Sequence, residues 1–402
     1  MNRETLEEAL PRLRAETPAR AEVVHFNHAG DSPSPRPVLD VIERHLEREA
    51  LIGGYEAEAE AAERIGDVYR SIGRLINAET DEIAIVENAT RAWDMVFYAI
   101  PFAPGDRILT SVSEYGSNTI AFLQVAARTG ATVEVVPNDE HGQLSLTALA
   151  DLLDDRVKLV AVSHMPTNGG LVQPAAEIGR LARQAGAFYL LDACQTVGQM
   201  PIDVNELGAD ALTATSRKYL RGPRGLGFLH VRRDRIEELT PPFLDIHAAT
   251  WVAQDRYEIQ PDARRFENWE SPIAAKLGLG RAIDYALDLG LDAIWARVEP
   301  LAARLRAELA AVPGVTVLDL GKVKGGIVTF AVTGVPAADV VAALRAKRIN
   351  TSVSPVTSTR YDMEARHLDD IVRASVHYLT TDDEMRILVD AVAATRRAIR
   401  RP

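Results

Sequence analysis

Tyr189–Val231 reads YLLDACQTVGQMPIDVNELGADALTATSRKYLRGPRGLGFLHV. One apolar run ends on Asp192, and a second leads to Lys218. Gln195 follows the first run; Thr215, Ser216 and Arg217 close the second. Gly222, Gly225 and Gly227 mark the turn into a third run, Leu226–Val231. Short apolar runs bounded by turn residues suit strands buried on both faces. An acid and an amine therefore stand at the ends of two strands.

The same texture extends upstream. Strands are expected at Ile83–Val86, Arg107–Ser111, Thr132–Val136, Lys158–Ser163, Phe188–Leu191, Ala211–Thr213 and Leu226–Val231. Amphipathic stretches at Thr119–Arg128, Leu146–Leu153 and Ala175–Ala185 separate several of them, with Gly130 and Gly186 as helix stops. This βαβα alternation predicts an α/β fold, a mostly parallel sheet with helices on both faces. No helix is evident before the last strand, which leaves an antiparallel placement open for it. Beyond about residue 272 the pattern changes. Helices are expected at Pro272–Leu289 and Asp292–Val312, then strands near Val315–Leu318, Gly326–Val332, Asn350–Val353 and Ile371–Ser375, and a last helix from Asp382 to about Arg397. The reading is a large domain over residues 16–285 and a smaller α+β domain over 286–402, joined by residues 1–15 with a helix at 3–15.

The 402 residues suit two domains, and 47% hydrophobic with 25% charged residues is the balance of a soluble globular chain. A net charge of −12 disfavours nucleic acid as a partner. Cys194 is the sole cysteine, so neither an internal disulfide nor a cysteine-based zinc site is possible, and no metal is expected. The opening MNRETLEEALPRLRAE lacks a signal-peptide core, and no apolar run is long enough to cross a bilayer. A cytoplasmic location without membrane association is the expectation. Neither a G-x-G-x-x-G after the first strand nor a P-loop is present, which disfavours a nucleotide-binding domain.

Open α/β sheets collect ligands beyond the C-terminal ends of their strands. Asn88–Thr90, Ser113–Asn118, His164–Gly170, Asp192–Gln195 and Thr215–Lys218 all fall there, which points to one shared site. Within it the Asp–Lys pair is what pyridoxal phosphate (PLP) requires. A lysine amine condenses with the cofactor aldehyde, and a carboxylate keeps the pyridine nitrogen protonated so that the ring accepts electrons.

Asp192–Gln195 and Ser216–Gly227, with Asn27-His28-Ala29-Gly30, Arg265-Phe266-Glu267 and Arg373-Ala374-Ser375, resemble the class V aminotransferases. These are fold-type-I PLP enzymes that include the cysteine desulfurases. The resemblance implies catalytic roles for Lys218 as the cofactor lysine, Asp192 as the pyridinium partner and Tyr115 stacked on the ring. It implies cofactor contacts from Ala89 and Thr90 at a helix start, from Thr215 and Arg217 to the phosphate, from Gln195 to the ring hydroxyl and from Cys194 packed on the ring. Thr167 or Asn168 supplies a further contact, and the alignment leaves that choice open; His164 reads as structural. Arg373 matches the arginine that grips a substrate carboxylate, with Asn27 and His28 beside it. The loop Arg265–Ser271, Trp269 included, matches one that reaches the partner subunit's cofactor, which implies a homodimer with composite sites.

Two departures narrow the activity. Desulfurases usually carry histidine where Tyr115 stands, and tyrosine is a poor acid–base group near neutral pH. Their catalytic cysteine lies on a small-domain loop, which here reads Ile349-Asn350-Thr351-Ser352-Val353-Ser354-Pro355-Val356-Thr357-Ser358-Thr359-Arg360-Tyr361 and holds no cysteine. Ser354, Ser358 and Arg360 are expected to meet the distal part of a substrate. The chain is most similar to the subgroup of isopenicillin-N-epimerase-like proteins and ergothioneine-type C–S lyases. That implies a PLP-dependent β-lyase acting on an S-substituted cysteine. Transamination, epimerisation and decarboxylation-coupled oxidative deamination use the same cofactor residues and stay open. So does, more remotely, a non-catalytic PLP-fold binding protein.

Overall fold

The computed structural model describes residues 5–399. Its main sheet has seven strands, β1 (Ile83–Val86), β2 (Arg107–Ser111), β3 (Thr132–Val136), β4 (Val157–Ser163), β5 (Phe188–Asp192), β6 (Ala211–Thr215) and β7 (Gly227–Val231), in the spatial order β1-β7-β6-β5-β4-β2-β3. Six run parallel, and β7 is antiparallel to both neighbours, β1 and β6. The cause is local: β6 returns through a glycine-bearing turn too short for a crossover helix. Every residue of β1, β6 and β7 is buried, as expected of strands covered on both faces.

The helices that matter for the site begin with α1 (Leu6–Ala15), α2 (Arg36–Ile52), α3 (Gly54–Ile76), α4 (Ala89–Phe97) and α5 (Gly116–Thr129). Residues 3 and 4 of the expected first helix lie outside the described residues. α2 and α3 have no counterpart among the expected elements. They pack on the helix Ile273–Leu289, where glycines permit close approach. A Cβ on Gly280 would come within 2.9 Å of the Val68 side chain, and one on Gly278 within 2.7 Å of Ile42.

A second, four-stranded antiparallel sheet is formed by β8 (Val315–Val317), β9 (Ile327–Val332), β10 (Ser352–Ser354) and β11 (Ile371–Ser375), in the order β8-β9-β11-β10. The single strand expected at Asn350–Val353 is divided. Ile349–Asn350 pairs in parallel with Val24–His25 near the N-terminus, and only Ser352–Ser354 joins the sheet. Thr351 turns the chain from one partner to the other. No helix among the described residues is long and apolar enough to cross a membrane.

Candidate active site

The C-terminal ends of β1, β6, β5, β4 and β2 open into one cavity of about 270 Å³. Its wall follows the order of the strands. Ala89 and Thr90 come after β1, Thr215, Arg217 and Lys218 from the end of β6, Asp192, Cys194 and Gln195 from β5, Thr167 after β4, and Tyr115 after β2. Ten residues expected from the sequence as catalytic or cofactor-binding groups, Thr167 among them, thus meet in one place.

α4 begins in the cavity. Asn88 caps it, its side chain accepting from the Arg91 N–H at 2.9 Å, which leaves the Ala89 and Thr90 N–H groups for an anion. Gly227 makes this approach possible, since a Cβ there would lie 2.8 Å from the Ala89 nitrogen and 2.6 Å from the Ala214 carbonyl oxygen. Arg217, beside this helix end, donates to the Gly30 carbonyl. The Arg217 carbonyl in turn accepts from Ser32 N–H at 2.7 Å, so the N-terminal segment is stitched to the lysine turn.

Asp192 ends β5. Its Oδ1 accepts from the Cys194 N–H at 2.9 Å and its Oδ2 from Asn118 Nδ2 at 3.3 Å. Burial lowers the pKa of the Lys218 amine, so the neutral, nucleophilic form is easier to reach. Burial also pushes the Cys194 thiol well above its usual value, with Asp192 adding to the effect. A thiol so placed is a packing group rather than a nucleophile. Gln195 donates to the Ala29 carbonyl at 3.1 Å, while its buried Oε1 has no partner among the described residues. An unpaired polar atom on a cavity wall calls for a polar ligand.

Of the two candidates after β4, Thr167 lines the cavity. Asn168 is committed elsewhere, donating to Asp362 at 2.7 Å and accepting at its carbonyl from Thr329. Thr167 also accepts from Arg373, whose guanidinium is further held by Ser352 Oγ at 3.1 Å and faces Asn27 Oδ1 at 3.5 Å. Arg373 is thus fixed against the cavity wall, and burial lowers its pKa to about 10. Ser354 lies on the same face of the small sheet as Ser352 and Arg373, and its buried Oγ has no partner among the described residues.

Besides Asn168, three expected site residues lie elsewhere. His28 is in the interior, its ring stacked on His377 at 4.5 Å and its Nδ1 2.8 Å from Ser32 Oγ, so it has no open face for a substrate. Arg360 is exposed on the short helix Arg360–Ala365 and pairs with Glu364 one turn on. Trp269 is 55% exposed and lines a separate cleft with Tyr55 and His247. Glu267 secures its loop, accepting from Tyr69 Oη at 2.8 Å and from the Ile85 N–H at 2.7 Å.

The donor set fits PLP. A helix start with an arginine beside it suits a phosphate, an amine stands on the wall, and a carboxylate is ready for a pyridinium. Sequence reasoning did not single out Glu114, Asn118 and Ser163, the polar groups around Asp192. The available signal was their place at the ends of β2 and β4, in the zone where ligands gather.

A class V aminotransferase family model matches residues 24–388. A probable cysteine desulfurase of Synechocystis sp. is 30% identical, over 93% of this chain and 91% of its own length. Another from Methanothermobacter thermautotrophicus is 28% identical over 94% and 95%. Among solved structures, the apo cysteine desulfurase of Thermococcus onnurineus superposes with a TM-score of 0.90 at 25% identity, covering 96% of this chain and 98% of that one. The cystine C–S lyase C-DES superposes with a TM-score of 0.85 at 24% identity, covering 94% and 99%. With a matching family model over most of its length and the expected cofactor-binding residues gathered at the strand ends, the chain belongs to the class V aminotransferases, the PLP-dependent enzymes of fold type I.

Proposed function

We propose that the enzyme is a carbon–sulfur β-lyase that cleaves an S-substituted cysteine to a thiol or sulfenate, pyruvate and ammonia. The observation that carries this reading is the thiol inventory around the cavity. The loop from Ile349 to Tyr361 holds no cysteine, and Cys194 is buried with its thiol strongly held as SH. Sulfur transfer to an enzyme cysteine, the desulfurase reaction, lacks its acceptor. Release of the sulfur group into solution does not need one.

PLP, when bound, supplies an electron sink for negative charge developing at the substrate Cα. Arg373, held by Thr167 and Ser352, pairs with the substrate carboxylate and so fixes which Cα bond faces the cavity. Lys218 takes the Cα proton as general base, a role favoured by its lowered pKa. Asp192 holds the proton on the ring nitrogen. The pair of electrons from the Cα–H bond then forms the Cα–Cβ double bond, the sulfur group leaves from Cβ with its own pair, and water hydrolyses the released enamine to pyruvate and ammonia. Tyr115 covers the cavity as a stacking group.

The test is incubation of the PLP-loaded protein with a panel of cysteine S-conjugates, including bulky thiol-sugar and thiol-histidine types, followed by mass spectrometry. Pyruvate with a released thiol or sulfenate is the expected result. A keto acid or aldehyde still carrying its sulfur substituent would refute elimination and move the assignment to transamination or oxidative deamination.

A further inference from the structure

The reaction above makes no use of Glu114, a carboxyl 1% exposed in the turn between β2 and α5. Donors surround both of its oxygens. Oε1 accepts from the Tyr115 N–H at 2.9 Å, from Asn118 Nδ2 at 2.8 Å and from Ser163 Oγ at 2.7 Å. Oε2 accepts from the Ser163 N–H at 2.9 Å and from Thr110 Oγ1 at 3.2 Å. None of these partners is a cation. A buried acid without one is expensive to keep, so its position calls for a reason beyond packing.

The hydrogen bonds supply that reason. Asn118 Nδ2 also donates to Asp192 Oδ2, so one amide nitrogen, with its two hydrogens, bridges two carboxyls. The grip of Glu114 fixes which end of the amide Asp192 meets. Ser163, the other residue that Glu114 holds by both its N–H and Oγ, is the register partner of Asp192 across β4 and β5. The next residue, His164, donates its N–H to the Asp192 carbonyl at 2.9 Å. Glu114 therefore holds Asp192 from two sides without touching it.

We propose that Glu114 is a positioning residue for Asp192: through Asn118 and Ser163 it sets the carboxylate's orientation, and its own charge tunes how firmly a proton is held on the pyridine nitrogen of bound PLP. Burial is the main reason its pKa rises to about 7, against the hydrogen bonds that lower it, so its charge changes near neutrality. The neutral form is accommodated too, because the Thr110 and Ser163 hydroxyls can turn from donor to acceptor. The titratable side chains that interact with it are Asp192 and Tyr189 on β5; the ring of His164, one residue past Ser163, pairs with Thr196. Tyr189 is raised far above neutrality by burial, and His164 is lowered to about 4, so both are neutral when Glu114 titrates. Asp192 is the charged neighbour that feels the change.

Glu114→Gln, Asn118→Ala and the double variant, each as holoenzyme, test this. The readouts are the pH titration of the bound cofactor's visible absorption and the PLP dissociation constant, with far-ultraviolet circular dichroism as the fold check. Removing the negative charge behind Asp192 should lower the titration midpoint by about one pH unit. PLP affinity should fall about tenfold, the scale seen when the partners of metal ligands are removed. Asn118→Ala, which frees the Asp192 carboxylate from its fixed orientation, should shift the midpoint as well. The double variant should be no worse than the stronger single one, because both act along one path. An unchanged midpoint in Glu114→Gln, or two shifts that sum in full, would overturn the proposal. If Glu114→Gln does not fold, Asn118→Ala decides alone: a shifted midpoint supports the link and an unchanged one refutes it.

Discussion

Arg373 is the residue whose chemistry is hardest to replace. Its guanidinium is locked by Thr167, whose carbonyl and hydroxyl both accept from Nη1, and by Ser352 at Nε, which leaves Nη2 to meet a carboxylate at a fixed angle. Arg373→Lys keeps the charge and loses this fixed geometry. The expected outcome is a fall in kcat/KM of about 100-fold, the worth of one to two charged hydrogen bonds, mostly through KM. Steady-state kinetics on the best S-conjugate would show it, and an unchanged KM would remove Arg373 from substrate binding. Cys194 makes the opposite case. With its thiol held protonated by burial, Cys194→Ala should keep turnover within about tenfold, as a buried small-to-small change does. Abolished turnover with normal PLP loading would mean that the thiol is chemical after all. Glu114 gives a stability signature. Its folded pKa, raised to about 7, exceeds its ordinary value of 4.5, so the folded state binds the proton more tightly than the unfolded one between those values. Its contribution is fully present below about 4.5 and is lost as pH rises through about 7. Glu114→Gln lacks this loss. The melting temperature of the variant relative to wild type should therefore climb across that window, and a flat difference would contradict the raised pKa.

At the scale of elements, the close contact of α4 with β7 is the most exposed to mutation. Gly227→Ala places a methyl group 2.8 Å from the Ala89 nitrogen, so the helix start must move away from the cavity. PLP affinity should drop by an order of magnitude or more, while far-ultraviolet spectra stay native, because a misplaced helix terminus loses its N–H groups for the phosphate. Equilibrium dialysis measures it, and wild-type affinity would show that α4 does not hold the phosphate. This helix start was legible in the sequence, since an apolar strand followed by Asn-Ala-Thr is a local signal. So were the seven main strands: the inner ones are covered on both faces and spell mainly apolar runs, while the edge strand β3 is only partly buried and carries Glu134 between valines. α2 and α3 were not. Only Val38 and His45 of α2 are buried, and the inward stripe of α3 opens with Ala57 and Ala61, which are weak as apolar markers. The hairpin Ala249–Ala253 with Arg256–Ile259 is mostly exposed, so it carries no alternating pattern to read. In the site, Lys218 and Asp192 could be read because their chemistry is carried by residue type. Glu114 could not, because its role depends on Ser163, 49 residues away, and on Asn118 reaching Asp192 across 74 residues. Such pairings are made by the sheet order and leave no trace in local sequence.

Several large apolar side chains stand exposed on the molecule. Leu51, Tyr55, Ile246, Trp251 and Tyr257 are 77%, 71%, 69%, 73% and 58% exposed, and Trp269 stands beside Tyr55 in one cleft. Phe243, 60% exposed, lies under the Arg91 guanidinium at 4.8 Å, one residue from the Thr90 end of the cavity. Large exposed apolar groups, with Phe243 beside Arg91 and Tyr55 sharing a cleft with Trp269, suit a face that a second subunit covers. A homodimer is the expected state in solution, and sedimentation should give twice the chain mass of 43.9 kDa. Trp251→Asp with Tyr257→Asp should shift it toward monomer and lower PLP retention. A composite site makes a sharper demand. If Trp269 serves the partner's cavity, the Lys218→Ala and Trp269→Ala homodimers should both be weak or inactive. Their mixed dimer holds one cavity with Lys218 from one chain and Trp269 from the other. Co-expression with two different affinity tags, followed by tandem purification, should therefore restore about half of the wild-type turnover, the statistical share of intact sites. If Trp269 instead acts within its own chain, or only packs, the mixed dimer shows no more activity than the mean of the two homodimers, and the composite site is ruled out.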